Sequence, residues 1–388
     1  MKRRKALTVL LIAGGIAAFV IAAYWVSCGR GRLPMPSAPP AFSGESTKLS
    51  HTRVVATLDA AMDNGTNVIW CASFQSAWKA LENDLAKEPV SLEGAGGTVD
   101  SLNRAWDPAP DVPAECLYSA AGWNDKGIVE KIRADLKKKF PGKEPPDFPG
   151  ILPDSFVAYA YLEAAVRFST PYFQNREPLE FTCGNGEKAN VSSFGIRPED
   201  DYAYFGLRKQ PVVLFQSRDE QYELTECIID LDRASLPNQI LLAWVKRKDT
   251  LAETLASVEA KIAAGTGSRR EGLGPNDILL VPDLSWRVTH RFSELERRRF
   301  RNAALKGQRM DVAQQDIVFR LDRSGAELRS ESKAYCKPMP TCYVFDRPFL
   351  ICMKKRGAAR PYFVMWVDNA ELLRGMPGKT SEIRSVVR

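Results

Sequence analysis

Histidine is nearly absent from this chain, whose 388 residues include only His51 and His290. A Ser-His-Asp or Cys-His site needs a histidine held beside its nucleophile, and zinc sites commonly need several. Neither histidine lies in a motif of these kinds, which leaves such chemistry few participants. We therefore expect no enzymatic activity, no catalytic residue, no metal site and no cofactor. A hydrolase that works through paired carboxylates is kept only as a third hypothesis, because sequence alone does not pair carboxylates.

Cysteine is also sparse, with eight residues and no Cys-x-x-Cys pair, so a zinc cluster or a thioredoxin-type site has no support. Cys28 follows an apolar N-terminal run, and an odd number of cysteines remains beyond it. At least one of these is therefore free or pairs between chains. Cys336 and Cys342 lie close together and form the candidate disulfide to test first. Buried, unpaired thiols are an equally weighted alternative.

Long hydrophobic runs are rare, and the run at residues 7–26 is uncharged and long enough to span a bilayer as a helix. It follows a basic cluster at residues 2–5, which is expected to stay on the cytoplasmic side. The length favours a single-pass membrane anchor over a cleaved signal peptide. We therefore expect the bulk of the chain to be extracellular or periplasmic, with secretion after signal cleavage as the alternative.

The excess of positive charge is small, since the net charge is +7 and much of it sits in short clusters. A mild surplus of this kind is weak support for nucleic acid, and no nucleic-acid partner is expected. The densest cluster is Arg297, Arg298, Arg299 and Arg301, in a segment predicted to be helical. The preferred interpretation is a solvated helix face with mixed charges, and polyanion binding is the alternative.

The composition, 45% hydrophobic and 26% charged, is that of a globular protein with a large core. A stretch rich in proline, serine and glycine separates the apolar run from this material. The predicted organisation is an anchor or uncleaved signal at 1–27, a linker at 28–48, a folded domain at 49–378 and a tail at 379–388. Within the domain, the pattern predicts a helix after Ser50, an amphipathic helix with Ile128, Val129, Ile132 and Leu136 on its apolar face, and a long strand from Phe156 to Phe168. A capping box at residues 250–253 predicts the start of a further helix with an apolar stripe.

The organising region of the domain lies between Ile317 and Asp368. It opens with an alternating strand at residues 317–322 and closes with two apolar runs, Pro348 to Met353 and Tyr362 to Val367. Runs without alternation are typical of strands buried on both faces, at the centre of a sheet. The connector between the first strand and these two has about twenty residues, longer than compact domains usually leave without a function. We interpret it as a presented loop.

Three segments of this region resemble the serpin family. Residues 322–327 (Asp-Arg-Ser-Gly-Ala-Glu) are similar to the serpin hinge, residues 345–350 (Phe-Asp-Arg-Pro-Phe-Leu) to the strand after the reactive loop, and residues 362–369 to the last strand. Upstream segments match in the correct order, at residues 67–73, 239–245 and 278–284. The resemblance touches most of residues 49–370. It implies an α+β fold with mostly antiparallel sheets and surrounding helices, trimmed in its first half.

The resemblance implies a function for the loop at residues 323–344. In inhibitory serpins a serine protease cleaves this loop, remains attached as an acyl-enzyme, and is carried along as the loop inserts into the central sheet. Alternate residues after the hinge Gly325 are small or apolar and the others are charged, a period-two pattern compatible with insertion. The predicted insertion face is Gly325, Ala326, Leu328, Ser330, Ser332 and Ala334. The candidate reactive bond region is Lys337, Pro338, Met339 and Pro340.

Several positions depart from the family pattern. Arg323 replaces a hinge glutamate, Gln315 stands in the place of a histidine that locks sheet opening, and Ala164 stands in the place of an asparagine. Leu328, Arg329 and Glu331 should slow insertion, because ordering or burying them costs more than burying alanine. Bonds that precede proline are poor substrates for serine proteases, which disfavours cleavage in the reactive bond region.

Two functional hypotheses follow. The first is a serpin-family inhibitor of a serine or cysteine protease, with weak or reversible inhibition. The second is a non-inhibitory, membrane-tethered binding or structural module on the same fold. The oligomeric state is left open.

Overall fold

The computed structural model describes residues 40–197, 206–265, 269–323 and 341–376. These ranges form a mixed α+β fold in which most strand pairs are antiparallel, as the sequence predicts. The helices are α1 (Ala72–Ala80), α2 (Gly96–Arg104), α3 (Ile128–Lys139) and α4 (Leu251–Ala264). The strands are β1 (Phe42–Glu45), β2 (Thr52–Val54), β3 (Asn67–Cys71), β4 (Leu117–Trp123), β5 (Phe156–Leu162), β6 (Phe173–Gln174), β7 (Leu179–Thr182), β8 (Lys188–Val191), β9 (Ser193–Ile196), β10 (Val212–Arg218), β11 (Leu224–Asp230), β12 (Asn238–Trp244), β13 (Ile278–Pro282), β14 (Leu284–Arg291), β15 (Gln314–Leu321), β16 (Cys342–Val344), β17 (Phe349–Lys355) and β18 (Pro361–Val367).

The largest sheet has seven strands in the order β10-β11-β12-β17-β18-β3-β2. Its centre is the antiparallel pair β17 and β18, in which Phe349 pairs with Val367. Every residue of β18 is buried, as expected for an apolar run covered on both faces. The prediction that the two C-terminal apolar runs lie at the heart of a sheet is confirmed.

Helix α1 follows directly from the buried strand β3 in this sheet. Its buried side includes Trp78, and the chain continues as a π-helical turn at Leu81–Ala86. The helix ends where Lys87 adopts a left-handed φ of 61°. The helix therefore underlies the sheets that carry β5 and β15, because it packs against both strands.

Two smaller sheets flank α1. One has the order β1-β14-β15, and the other is the antiparallel pair β4 and β5. Helix α3 covers β4 and β5 and encloses a separate apolar cluster that includes Ile132, Leu136 and Val157. The α3 prediction from the spacing of its apolar residues is confirmed.

A four-stranded sheet with the order β16-β13-β9-β6 receives the chain after residue 341. Gly195 on β9 pairs with Leu280 on the adjacent strand β13, and a Cβ atom added at Gly195 would lie 1.8 Å from the carbonyl oxygen of Leu279. Only glycine fits at this position, since any side chain would overlap the neighbouring backbone. A short hairpin, β7 and β8, completes the strands of the described ranges.

Two boundary predictions differ from the structure. Phe42–Glu45 forms β1, which pairs in parallel with β14, so part of the segment assigned to the linker belongs to a sheet. The segment after Ser50 is the strand β2 rather than a helix. Its alternating burial and parallel pairing with β3 outweigh the helical spacing of its apolar residues.

The long strand predicted from Phe156 to Phe168 ends at Leu162. Beyond Leu162 the backbone is bonded to a side chain instead of a neighbouring strand, since the Asn238 amide donates to the carbonyl oxygen of Ala165 (3.1 Å). The segment around Arg297 to Arg301 is also not helical. It consists of turns followed by an extended stretch in which Arg299 pairs with Arg309.

No helix of the described ranges is long and apolar enough to cross a membrane. The anchor predicted at residues 7–26 and the tail at 379–388 lie outside those ranges.

Candidate functional site

The candidate site is the gap between the facing edges of β5 and β15. β5 is the edge of one sheet and β15 the edge of another, and no ladder joins them in the described chain. Near the start of β5, the Phe156 ring lies 5.4 Å from that of Phe300, and the Gln308 amide donates to the carbonyl oxygen of Asp154 (3.3 Å). Both contacts involve the segment that leads into β15.

The two strands advance in the same direction. Further along β5, burial together with the nearby Asp316 carboxylate raises the pKa of Tyr159 to about 12. Asp154, just before β5, neighbours Gln308, which precedes β15. Tyr159, further along β5, neighbours Asp316, further along the chain in β15. The two strands therefore run in the same direction along the gap. The gap is bounded by two parallel strand edges that no ladder joins within the described ranges.

Gln315 ties β15 to the start of α1 beneath the gap. Its side-chain amide is buried and donates to the carbonyl oxygen of Cys71 (3.0 Å) and to the hydroxyl of Ser73 (2.9 Å). Its Oε1 atom is buried and has no hydrogen-bond partner among the described residues. A buried acceptor without a partner costs about 1–3 kcal/mol. The side chain of Gln315 therefore has only part of its hydrogen bonding satisfied.

Ala164 lies beyond the end of β5, because the ladder with β4 stops at Leu162. Its correspondence to the family's asparagine stays a prediction. The β5 residue close enough to Asp316 for its carboxylate to influence the pKa is Tyr159.

Two carboxylates lie at the end of β15 where the loop begins. Asp322 is buried and forms an ion pair with Arg320. Asp283 is fully buried, and Ser192 and Gln174 (2.7 Å) donate hydrogen bonds to its Oδ2. Burial, with a smaller contribution from Asp322, raises the pKa of Asp283. Sequence reasoning missed Asp283, although an aspartate inside the apolar run at 278–284 was an available signal.

The chain is fixed again on the far side of the loop. The backbone N–H of Thr341 donates to Asp277 (3.0 Å), and Arg218 donates to the Thr341 hydroxyl (2.7 Å). β16 then pairs in parallel with β13. Both ends of the connecting segment are therefore anchored in sheets.

The remaining predicted site residues lie outside the described ranges, and their roles stay predictions. Arg323 is the last described residue before the loop and Cys342 is exposed on β16. The predicted residues outside the ranges are Gly325, Ala326, Leu328, Ser330, Ser332, Ala334, Cys336, Lys337, Pro338, Met339 and Pro340.

The buried cysteines of the described ranges are free thiols, in agreement with the alternative of buried, unpaired cysteine. Burial raises the pKa of each of them, which keeps them protonated and unreactive. They are Cys71, Cys116, Cys183, Cys227 and Cys352.

The chain matches no family model and no curated protein sequence. Among solved structures it is similar to thyroxine-binding globulin in complex with thyroxine, with 13% identity and a TM-score of 0.47 over 79% of this chain and 93% of that one. It is also similar to mouse protein-Z dependent protease inhibitor, with 15% identity and a TM-score of 0.47 over 79% of this chain and 91% of that one. A third similar structure is native protease nexin-1 with heparin, with 9% identity and a TM-score of 0.45 over 79% of this chain and 93% of that one. These proteins are serpins, and each likeness is distant.

The described chain has the order of elements that the sequence motifs implied. An alternating strand, β15, leads into the connecting segment, and β16 follows it. The two apolar strands β17 and β18 then occupy the centre of the seven-stranded sheet.

Proposed function

We propose that this chain is a serpin-family protein that presents residues 323–344 to a serine protease and inhibits it through that loop, weakly or reversibly. The observation that carries the proposal is the gap between β5 and β15. A strand is added at the edge of a sheet, and here the edges of two sheets face each other with no ladder between them in the described chain.

The direction of the chain suits insertion into this gap. A segment that turns back after Leu321 runs antiparallel to β15, and it also runs antiparallel to β5 because those two strands are parallel. The stretch from Gly325 to Ala334 is long enough to match the seven residues of β5 and the eight of β15. Its alternate small residues would face the core, and its charged residues would face water.

Two features favour slow insertion and therefore weak inhibition. Opening the gap disturbs the hydrogen bonds from Gln315 to α1. Insertion also has to order Leu328 and Arg329, whose side chains lose more rotamer freedom than alanine does. Cleavage is then expected to release much of the protease before it is trapped.

The test is to incubate the full chain, in detergent, with a panel of serine and cysteine proteases. We expect cleavage within 323–344, a denaturant-resistant complex as a minor product, and a higher melting temperature of the cleaved chain. If no protease cleaves within this segment, the proposed presentation of the loop is wrong.

The second candidate is a non-inhibitory binding or structural module on the same fold. It is favoured by the prolines at 338 and 340, which make the reactive bond region a poor substrate. In the same experiment it predicts that any cleavage of the segment leaves no stable complex and an unchanged melting temperature.

We also propose that residues 7–26 anchor the chain in a membrane with the described part on the extracytoplasmic side. The run is apolar and long enough, and a basic cluster precedes it. Secretion after cleavage of this segment is the alternative. Extraction of membranes with alkaline carbonate separates the two, since an anchored chain stays in the pellet and a secreted one does not.

A further inference from the structure

A strongly basic surface lies in the connection between β14 and β15, at the start of β15, whereas Arg323 follows the other end of that strand. Six exposed cationic side chains occur within this short connection: Arg297, Arg298, Arg299, Arg301, Lys306 and Arg309. Only Arg309 has a carboxylate ion-pair partner in the described chain, Asp311 at 2.7 Å, and both of those side chains are more than half exposed. The gap proposed for insertion uses none of these residues.

Backbone pairing places Arg299 and Arg301 on one face of the segment. Residues 299–302 alternate between exposed and buried, with Phe300 and Asn302 pointing inward. Arg299 and Arg301 therefore point outward from the same side, about 7 Å apart. The segment is flanked on both sides, because Phe300 bridges to Leu92 and Arg299 bridges to Arg309.

The bridge between Arg299 and Arg309 places two like charges directly opposite each other. Such cross-strand pairs have Cβ atoms about 5 Å apart and destabilise a sheet. A third cation, Arg297, lies at the start of the segment with a left-handed φ of 62°. A bound anion would relieve this repulsion, since a guanidinium group binds carboxylates through paired N–H donors.

We propose that Arg299, Arg301 and Arg309 form a docking surface for an extended acidic peptide segment of a partner protein. The spacing of Arg299 and Arg301 is that of alternate side chains on a strand, so an extended peptide with acidic residues at alternate positions presents carboxylates at the same spacing. Exposed Glu93 lies beside Arg299, and its backbone N–H donates to the carbonyl oxygen of Arg299 (3.0 Å). This acid breaks the positive surface and favours spaced carboxylates over a continuous polyanion.

Nucleic acid fits this surface less well. Proteins that hold single strands combine cations with aromatic side chains on which bases stack. The aromatic residue of this segment, Phe300, is buried and packs against Phe156. The exposed face therefore offers charge without a stacking platform.

The test uses the full chain in detergent micelles and a fluorescent peptide of five Glu-Ser repeats, with binding read by anisotropy at low salt. A control peptide with the same composition and charge, Glu-Glu-Ser-Ser-Glu-Glu-Ser-Ser-Glu-Ser, has no two glutamates at positions i and i+2. We expect the alternating peptide to bind about fivefold more tightly, since it alone pairs with Arg299 and Arg301 at the same time and the additional ion pair is worth about 1 kcal/mol. Equal affinity for the two peptides would overturn the proposal.

Variants locate the binding surface. The double substitution Arg299→Glu and Arg301→Glu is expected to weaken binding of the alternating peptide by about tenfold or more. A matched control reverses two exposed cations elsewhere, Arg176→Glu and Lys246→Glu, and should change affinity by less than about twofold. If the control weakens binding as much as the test variant, net charge alone acts and the site is refuted. Tighter binding of a single-stranded oligonucleotide or a sulfated polysaccharide at the same arginines would also overturn the assignment to peptide.

Discussion

At the scale of single residues, the gap is held by buried polar side chains whose hydrogen bonding is incomplete. Gln315 beneath the gap and Asp283 at its hinge end each carry a buried oxygen without a partner among the described residues. Such groups are costly to bury, and they are common where a structure has a second arrangement available. The sequence identified Gln315 by position but did not show that its amide binds α1.

Replacing Gln315 by alanine tests this tie. Gln315→Ala removes two donated hydrogen bonds and also the unpaired Oε1, so we expect a net loss of about 1–2 kcal/mol in the free energy of unfolding. Urea denaturation measures it. Gln314→Ala, at the exposed neighbour on the same strand, is the control and should change stability by less than about 0.5 kcal/mol. Equal effects of the two substitutions would contradict the claim that the hydrogen bonds of Gln315 to Cys71 and Ser73 stabilise the fold.

His290 makes stability depend on pH. Burial lowers its pKa from the ordinary value of 6.5, and its Nδ1 lies 2.7 Å from the hydroxyl of Ser46. The unfolded chain therefore binds a proton more readily than the folded chain. The contribution to stability is complete above about pH 6.5 and declines as the pH falls below that value.

The measurement compares the wild type with His290→Gln, which does not titrate. Between pH 7.5 and 5.5 the wild type is expected to lose about 0.5–1 kcal/mol more unfolding free energy than the variant. Because all other titratable groups are shared, they cancel in the difference. Parallel pH profiles for the two proteins would show that His290 titrates alike in both states.

At the scale of elements, the helices and strands whose burial shows in the local pattern of apolar residues could be predicted from the sequence. The apolar runs of β17 and β18, the capped helix α4 and the amphipathic helix α3 follow directly from local sequence. In α4 the predicted cap is present, since the Thr250 hydroxyl accepts from the backbone N–H of Glu253 (3.1 Å).

Elements that depend on distant partners were not predictable. β2 looks helical by spacing, but it is a strand because it pairs with β3. The arginine segment looks like a helix with mixed charges, but it is extended because it pairs with residues 91–93 on one side and 308–310 on the other. The end of β5 is set by the length of β4. In each case the deciding hydrogen bonds cross a long stretch of sequence.

The close approach of Gly195 on β9 to the backbone of β13 gives a sharp test of the sheet that contains β16. Gly195→Ala would place a methyl group on the carbonyl oxygen of Leu279, so we expect a loss of about 3 kcal/mol or more. Thermal unfolding measures it. Gly97→Ala in α2 is the control, since a Cβ there meets nothing within 4 Å, and it should be neutral or stabilising by up to about 1 kcal/mol. A stable Gly195→Ala protein would mean that β9 and β13 are further apart than described.

At the scale of the whole molecule, two chain segments leave the same end of one sheet. The N–H of Ala41 donates to the carbonyl oxygen of Ser285 (2.6 Å), and Leu284 pairs with Leu321. The described chain therefore begins two strands away from the hinge. The arginine surface lies at the opposite end of β15, which keeps the proposed peptide site and the proposed protease site apart.

The central claim is that the facing edges of β5 and β15 accept the cleaved segment as a new strand. Hydrogen–deuterium exchange on the full chain, before and after proteolysis within 324–340, measures this directly. Free edge amides exchange quickly, and paired amides are protected. We expect peptides covering β5 and β15 to become strongly protected after cleavage, while those covering β17 and β18 stay protected throughout. Unchanged exchange in β5 and β15 after complete cleavage would contradict the claim.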